Sequence, residues 1–230
     1  MRILLISPIS KVWSSRKHIP LGLGYLAAVL ERAGHQVQIY DAVVEDEPLG
    51  DVLERGKFEL VGITSTTPLI NEAWEAACEA KAHGAVTILG GPHLTLLPDE
   101  SMQRPEVDLV VRGEGEDAIV EIVSNLESRI TNGKTPQLFE RAVWSQVTGL
   151  SFRDENGKVV HNPPRPLRKD LDSIPFPAHH LFKIERYTNL QPLTDGLDPK
   201  ARAYTIVTSR GCPYNSVSYT HLTLPTNREV

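Results

Sequence analysis

The sequence predicts an α/β protein built on a doubly wound, mostly parallel β-sheet. Short apolar runs rich in β-favouring residues recur along the first half of the chain, and segments with helical periodicity separate them. This alternation is typical of a parallel sheet that is covered by helices on both faces. With 40% hydrophobic and 23% charged residues, the 230-residue chain has an ordinary globular composition and room for one domain plus a smaller unit.

The N-terminal residues predict one β-α-β unit. Arg2 to Ile6 form an apolar strand, and a helix that begins near Leu21 carries leucines and alanines at helical spacing up to Gly34. Glycine is the residue most often found just after a helix, because it adopts the left-handed backbone conformation. Val37 to Tyr40 form the second strand, and we expect the crossover between the two strands to be right-handed.

Three more strands follow, which brings the predicted parallel sheet to five strands. Each strand is separated from the next by a segment with helical spacing, and one more such segment follows the last strand. The strands span 60–64, 86–89 and 107–111, and the helices lie near 49–55, 71–82, 98–100 and 117–126.

Polar and glycine-rich loops follow four of these strands. In a doubly wound sheet, ligands bind at the carboxyl ends of the strands, so these loops are expected to line one crevice. The same residue types are common in turns and helix caps, so a purely structural role is the alternative. The candidate binding residues are Ser7, Pro8, Ser65, Thr66, Thr67, Gly90, Gly91, His93, Gly113, Glu114 and Gly115.

Several classes of protein are disfavoured by what the chain lacks. No GxGxxG follows the first strand and no GxxxxGK[ST] occurs, which argues against the usual dinucleotide and P-loop folds. The net charge of -5 gives no reason to expect a nucleic acid partner. The N-terminal apolar run is too short for a membrane span or a signal peptide, and two distant cysteines suit a reducing compartment, so a cytoplasmic protein is expected.

The alternation of strands and helices stops near Asn125. Segments 147–153 and 158–161 flank an Asn-Gly turn and predict a β-hairpin, and the proline-rich stretch after it is expected to be extended. Adjacent histidines at 179 and 180 would point to opposite sides of such a segment, so we expect surface histidines. A fresh strand is predicted at 203–208, followed by Cys212 between a glycine and a proline. That exposed thiol is a candidate metal ligand.

Five motifs in this order resemble the cobalamin-binding-domain radical S-adenosylmethionine proteins. The resemblance covers roughly residues 1 to 215. The motifs are Pro20-Leu21-Gly22-Leu23-Gly24-Tyr25-Leu26-Ala27, Gly90-Gly91-Pro92-His93, Arg112-Gly113-Glu114-Gly115-Glu116, Asp170-Leu171-Asp172-Ser173-Ile174-Pro175-Phe176-Pro177 and Ser209-Arg210-Gly211-Cys212-Pro213-Tyr214-Asn215.

The resemblance implies a Rossmann-like, flavodoxin-like N-terminal domain that holds cobalamin, with the nucleotide tail of the cofactor in the crevice. Gly90 and Gly91 would then avoid a collision with the tail, and the hydroxyls of 65–67 would contact its polar atoms. Cobalamin domains that bind cobalt through histidine carry DxHxxG after the first strand. Around His18 this pattern fails, since Arg16 takes the aspartate position, so no histidine of this chain is expected to bind cobalt.

The family also carries a barrel whose first loop holds a 4Fe-4S cluster through Cys-x3-Cys-x2-Cys. The cluster and S-adenosylmethionine together generate a radical. Cys212 matches the first ligand, but Ser216 stands where the second cysteine should be. The resemblance therefore implies a radical enzyme, with a methyltransferase as one candidate, only for an intact parent protein, and this chain is expected to be inactive.

These observations predict four segments. Residues 1–126 are expected to be the cobalamin-binding domain, 127–200 a connector with the hairpin, 201–215 the first strand and loop of a truncated barrel, and 216–230 a non-native, disordered tail. The alternative function is a flavodoxin-like module that binds or senses a smaller ligand without radical chemistry. A nucleotide-sugar transferase is disfavoured because one doubly wound domain lacks the second domain that closes over such a donor.

Overall fold

A computed structural model describes residues 1–9, 19–131, 141–187, 205–207 and 209–210 of the chain. This part contains a single sheet of seven strands. The strands are β1 (Arg2–Ser7), β2 (Gln36–Asp41), β3 (Leu60–Thr64), β4 (Val86–Gly90), β5 (Leu109–Val111), β6 (Leu150–Arg153) and β7 (Val159–His161). Their order across the sheet is β2-β1-β3-β4-β5-β6-β7.

The first five strands are parallel, as the sequence predicts. The strand order reverses next to β1, which pairs with β2 on one side and β3 on the other. The doubly wound fold class is therefore confirmed. A crevice is expected at the carboxyl ends of β1 and β3, where this reversal lies.

The predicted hairpin extends the same sheet instead of standing apart from it. Strand β6 pairs antiparallel with β5, and β7 pairs antiparallel with β6. Phe152 of β6 is fully buried, so the hairpin contributes to the core of the sheet. Its turn is closed by Asp154, whose carboxylate accepts hydrogen bonds from the backbone amides of Asn156 and Lys158. Gly157 supplies the positive φ of 75° that the Asn-Gly turn requires.

Seven helices and three short 3-10 turns complete the described residues. The helices are α1 (Leu21–Arg32), α2 (Leu49–Gly56), α3 (Ile70–Ala82), α4 (Pro92–Leu96), α5 (Pro98–Met102), α6 (Glu116–Thr131) and α7 (Arg141–Trp144). The 3-10 turns are Thr67–Leu69, His179–Leu181 and Ile184–Arg186. Helix α4 was not expected from the sequence; Pro92 occupies its first turn, where a proline costs no hydrogen bond.

The sheet separates two apolar cores. Alternate residues of β1 point to opposite faces, so Ile3 and Leu5 belong to one core while Leu4 and Ile6 belong to the other. Buried residues of α1 and α6 share the first core, and buried residues of α2 and α3 share the second. All four of these β1 side chains are at most 1% exposed, as expected for a parallel strand covered on both faces.

Part of the proline-rich stretch packs onto this domain. Phe182 and Tyr187 are buried in the same core as α1. A Cβ on Gly24 of α1 would lie 3.0 Å from the Cβ of Pro177, so a larger residue there would push this stretch away. The Tyr187 hydroxyl donates a 2.7 Å hydrogen bond to the Asp41 carboxylate at the end of β2. The apolar side chains of Phe182 and Tyr187, which follow Pro177, thus pack against the layer that contains α1.

The two histidines predicted to lie at the surface each contact another residue there. His180 lies 3.0 Å from the Glu31 carboxylate, and His179 lies 3.0 Å from the backbone oxygen of Thr205. In the segment predicted to be a strand, the described residues 205–207 are exposed and belong to no strand of the described sheet. His18, Cys212 and the tail 216–230 lie outside the described residues.

We predict that Asp108→Ala lowers the free energy of unfolding by about 2–4 kcal/mol, because the buried carboxylate joins β4 to α3 and β5. It accepts hydrogen bonds from the Lys81 ammonium at 2.6 Å and from the Thr87 backbone amide at 2.9 Å. Urea unfolding followed by circular dichroism measures the change. Asp51→Ala, at an exposed position of α2, is the control and should change stability by less than about 0.5 kcal/mol.

Candidate functional site

A cavity of about 220 Å³ opens at the carboxyl edge of the parallel strands. Its floor is apolar and comes from β1, β3 and β5, through residues such as Leu5, Ile63 and Val111. Helix α1 and the start of α6 form the sides, through Leu26 and Ile119 among others. The cavity therefore lies at the place that the doubly wound topology predicts.

Five of the predicted binding residues line this cavity: Gly90, Gly91, Gly113, Glu114 and Gly115. The two glycine motifs come from neighbouring strands, since β4 ends in the first and β5 leads into the second. Parallel pairing brings both strand ends to one edge of the sheet. The sequence prediction that these two loops converge is thus in agreement with the geometry, while their contact with a cofactor stays a prediction.

The other six predicted residues do not line the cavity. Ser7 and Pro8 lie at the end of β1, where the Ser7 carbonyl accepts a hydrogen bond from the Ala42 amide. Thr66 and Thr67 are exposed beside the crevice, and Ser65 and His93 are buried. The described structure therefore places these six residues around the cavity instead of on its wall.

Ser65 and His93 hold two loops together. The Ser65 amide donates to the Gly90 carbonyl at 2.9 Å, and the Ser65 hydroxyl donates to its neighbouring carbonyl at Thr66. The His93 amide donates to the Ser65 carbonyl, and His93 Nδ1 lies 3.2 Å from the Thr67 hydroxyl. With 2% of its surface exposed, His93 braces the loops from inside. The contact of His93 with a ligand, expected from the sequence, stays a prediction.

Gly91 is required by the protein's own backbone. Its φ is 105°, in the region that favours glycine, and an added Cβ would lie 2.7 Å from the Ser65 carbonyl oxygen. Gly90 has no such conflict, because an added Cβ would lie 3.7 Å from the Val111 carbonyl oxygen. The protein's own backbone therefore accounts for Gly91, and the close approach of a cofactor to Gly90 and Gly91 stays a prediction.

Two further glycines leave the mouth of the cavity open. An added Cβ at Gly22 of α1, or at Gly113, would meet no atom within 4 Å. Gly62 is different, because it makes room for the Leu5 side chain, at 2.8 Å from an added Cβ. The candidate set from the sequence omitted Gly22, although its Pro-Leu-Gly-Leu-Gly context was the available signal.

The rim of the cavity carries paired charges. The Arg210 guanidinium donates to the Glu114 carboxylate at 3.0 Å and also forms an ion pair with Glu116. The Arg168 amide donates to the other Glu114 oxygen at 2.8 Å. Burial alone would raise the pKa of Glu114, but the hydrogen bonds from Arg168 and Arg210 outweigh it and lower that pKa. The sequence did not predict Arg210 as a rim residue, because its partners are far away in sequence.

Arg112, the first residue of the motif that continues through Gly113 to Glu116, has a structural role. Its guanidinium donates to the backbone oxygens of Leu150 and Asn162, and its amide donates to the Gly149 carbonyl at 2.8 Å. These bonds attach the end of β5 to the hairpin. The position of the following glycines therefore depends on the hairpin.

A serine, a histidine and an aspartate form a hydrogen-bonded chain elsewhere on the sheet. The Ser151 hydroxyl lies 2.8 Å from His161 Nδ1, and His161 Nε2 lies 3.0 Å from the Asp99 carboxylate. Ser151 is completely buried, so its hydroxyl is not accessible to a substrate. This series of hydrogen bonds joins α5 to the hairpin and does not form a nucleophilic site.

The described residues contain no group of three or more histidine, cysteine, aspartate or glutamate side chains arranged to hold a metal ion. Within the same residues, no helix has the length and apolar character of a membrane span. The candidate metal ligand Cys212 lies outside them, so its role stays a prediction.

An open parallel sheet with a cavity at the carboxyl edge of its switch point defines a Rossmann-like ligand-binding domain. Residues 14–123 match the family model described as B12 binding domain. This segment belongs to the B12-binding family, and the resemblance inferred from the motifs is confirmed.

The relatives are longer proteins. An uncharacterized methyltransferase of Pyrococcus horikoshii is 36% identical over 94% of this chain, and the match spans 44% of the relative. A cytidylyl-2-hydroxyethylphosphonate methyltransferase of Streptomyces wedmorensis is 27% identical over 92% of this chain and 46% of the relative. The chain thus spans less than half of the length of these relatives.

Solved structures share the fold. The radical S-adenosylmethionine methyltransferase TsrM from Kitasatospora setae aligns with a TM-score of 0.55 at 21% identity, over 72% of this chain and 30% of TsrM. The cobalamin-dependent S-adenosylmethionine radical enzyme OxsB, with aqua-cobalamin bound, aligns with a TM-score of 0.59 at 17% identity, over 77% of this chain and 24% of OxsB. At these identities the alignments establish the fold.

We predict that Gly91→Ala lowers the free energy of unfolding by about 1–3 kcal/mol, because alanine is strained at this φ and its methyl group meets the Ser65 carbonyl. Urea unfolding measures the loss. Gly22→Ala is the matched control: it lies in α1 with open space around it, and it should be neutral or stabilising by up to about 1 kcal/mol. Equal stability of the two variants would contradict the assignment of Gly91.

Proposed function

We propose that this chain binds cobalamin at the carboxyl edge of its sheet, with the nucleotide tail of the cofactor in the cavity between β3, β4, β5 and α1. The cavity itself is the observation that carries the proposal, because all of its lining residues except Leu5 and Arg210 lie inside the segment that matches the B12-binding family. Its volume of about 220 Å³ suits part of a large ligand, so the remainder would lie over the mouth.

The residues around the cavity fit such a group. Gly22 and Gly113 have empty space where a side chain would project, so a large planar ligand meets backbone at the mouth. The floor is apolar and is formed by strands of the sheet, which suits the flat face of an aromatic base. Thr66 is exposed just after the end of β3 and is proposed to offer its hydroxyl to polar groups of the cofactor outside the cavity.

The cobalt atom of the bound cofactor is proposed to have no histidine ligand from this chain. The described residues that line the cavity include no histidine, and His93 is buried away from it as a loop brace. When bound, cobalamin supplies a cobalt centre that can carry a methyl group. The residues of this chain bind the cofactor and exclude water from its tail.

The radical chemistry of the longer relatives is proposed only for an intact parent protein. The chain contains two cysteines, Cys78 and Cys212, whereas a site-differentiated 4Fe-4S cluster needs three thiolates. Cys78 is exposed on α3, far in sequence from Cys212. This set does not fit a cluster, so the parent would supply the missing ligands, S-adenosylmethionine and the substrate. Cytoplasmic location stays a prediction from the sequence.

We predict that Gly22→Leu reduces the amount of hydroxocobalamin retained by the protein at least tenfold, because the side chain would project into the open mouth. The protein is mixed with the corrinoid and desalted, and the visible absorbance of the protein fraction is measured. Ala82→Leu places the same leucine side chain at an exposed position of α3 and should retain the wild-type amount.

A wild-type chain that retains no corrinoid would overturn the proposed function and favour the smaller-ligand alternative. If wild type and Gly22→Leu retain equal amounts, cobalamin binds elsewhere and the placement in this cavity is wrong.

We also predict that uniform ¹⁵N labelling of the protein leaves the electron paramagnetic resonance spectrum of bound cob(II)alamin unchanged. A histidine ligand would alter the superhyperfine splitting, since ¹⁴N and ¹⁵N differ in nuclear spin. A changed splitting in the labelled protein would show a cobalt-bound protein nitrogen.

A further inference from the structure

The Arg210 side chain joins a distant segment to the cavity. It reaches the first turn of α6 and the loop before it, where the Glu116 and Glu114 carboxylates accept its hydrogen bonds. Its guanidinium also lies 5.5 Å from the centre of the Tyr25 ring on α1. Three groups from two walls of the cavity therefore contact one guanidinium.

One of the two carboxylates is held by a contact that does not involve Arg210. The Arg168 amide holds one oxygen of Glu114, and Glu116 is only 8% exposed. The Glu116 side chain makes the leading contribution to the raised pKa of Arg210. A planar guanidinium can donate to two separate carboxylates at once, whereas the ammonium group of lysine acts as a point charge.

Arg210 forms a wall of the cavity and does not fill it. The space of about 220 Å³ is present while the ion pairs are formed, and Arg210 is among the residues that line it. Ligand atoms in the cavity and a docked Arg210 are therefore sterically compatible. Docking closes part of the mouth above an occupant.

We propose that Glu114, Glu116 and Tyr25 form a guanidinium receptor that docks the segment carrying Arg210 across the mouth of the cavity and so retains the ligand bound there. The partner is an arginine presented by this chain itself. Because a docked Arg210 covers part of the mouth, loss of the receptor should speed ligand release. The identity of that ligand as cobalamin rests on the proposed function.

The docking is tested on the ligand-free chain by limited trypsin digestion, since trypsin cleaves after arginine only when the segment leaves its receptor. Mass spectrometry follows the cleavage between residues 210 and 211. For Glu114→Gln/Glu116→Gln we expect cleavage about tenfold faster than in wild type, equivalent to about 1.4 kcal/mol for the two ion pairs together. Glu121→Gln removes a charge from the same helix, where its partner is Arg165, and should leave the rate within about twofold.

A second variant tests the same claim without changing Glu114 or Glu116. Arg210→Lys keeps the charge and a cleavable bond but loses the two-carboxylate geometry. Its cleavage, divided by the rate for an unstructured peptide with the same residues around the bond, should be severalfold faster than the same ratio for wild type. Unchanged cleavage in both this variant and the double glutamine variant would overturn the receptor.

The rate of corrinoid release shows whether Arg210 retains the ligand or obstructs the cavity. Stopped-flow dissociation of bound hydroxocobalamin should be several times faster in Arg210→Lys than in wild type. Slower release would mean that Arg210 obstructs the cavity, and the retention claim would be wrong. If the wild-type chain binds no corrinoid, the proposed function fails, and the digestion of the ligand-free chain still decides whether the receptor exists.

Discussion

Burial of both faces of the parallel sheet is the constraint on which the rest of this structure depends. Strand β1 lies between β2 and β3, and its side chains Ile3 to Ile6 are almost fully excluded from solvent. Each face needs its own helix layer, because a parallel strand of this kind has no side turned to water. The helices must cross from one strand to the next, so all five parallel strands end at one edge. The cavity at that edge is a consequence of this packing.

The residues at the edge divide into two groups with different physical roles. Ser65 and His93 form hydrogen bonds that hold the loops together, and Gly91 leaves room for the Ser65 carbonyl. Together these residues give the loops a fixed shape. Gly22 and Gly113 leave space that no protein atom fills. The first group builds the pocket and the second keeps it open. Both are rich in glycine and small polar residues, which explains why one sequence pattern covered both.

Segments beyond the α/β unit contribute more than a connection. The hairpin adds two antiparallel strands to the sheet and fixes the end of β5 through Arg112. The stretch around Phe182 and Tyr187 covers α1, and burial of the Asp41 carboxylate raises its pKa in spite of the hydrogen bond from Tyr187. The cavity is therefore supported from the C-terminal side of the chain as well as from the matched domain.

The sequence by itself determined the fold class, the five parallel strands and the family, because the spacing of apolar residues and the order of the motifs can be read along the chain. It also located Gly90, Gly91 and Gly113 to Gly115 at the cavity, since they lie at or just after the ends of strands. Only the tertiary structure decided that His93 braces loops, that Gly91 answers to the Ser65 carbonyl, and that Arg210 meets Glu114 and Glu116. These roles depend on which groups from distant segments come within hydrogen-bond distance, and no local pattern records that.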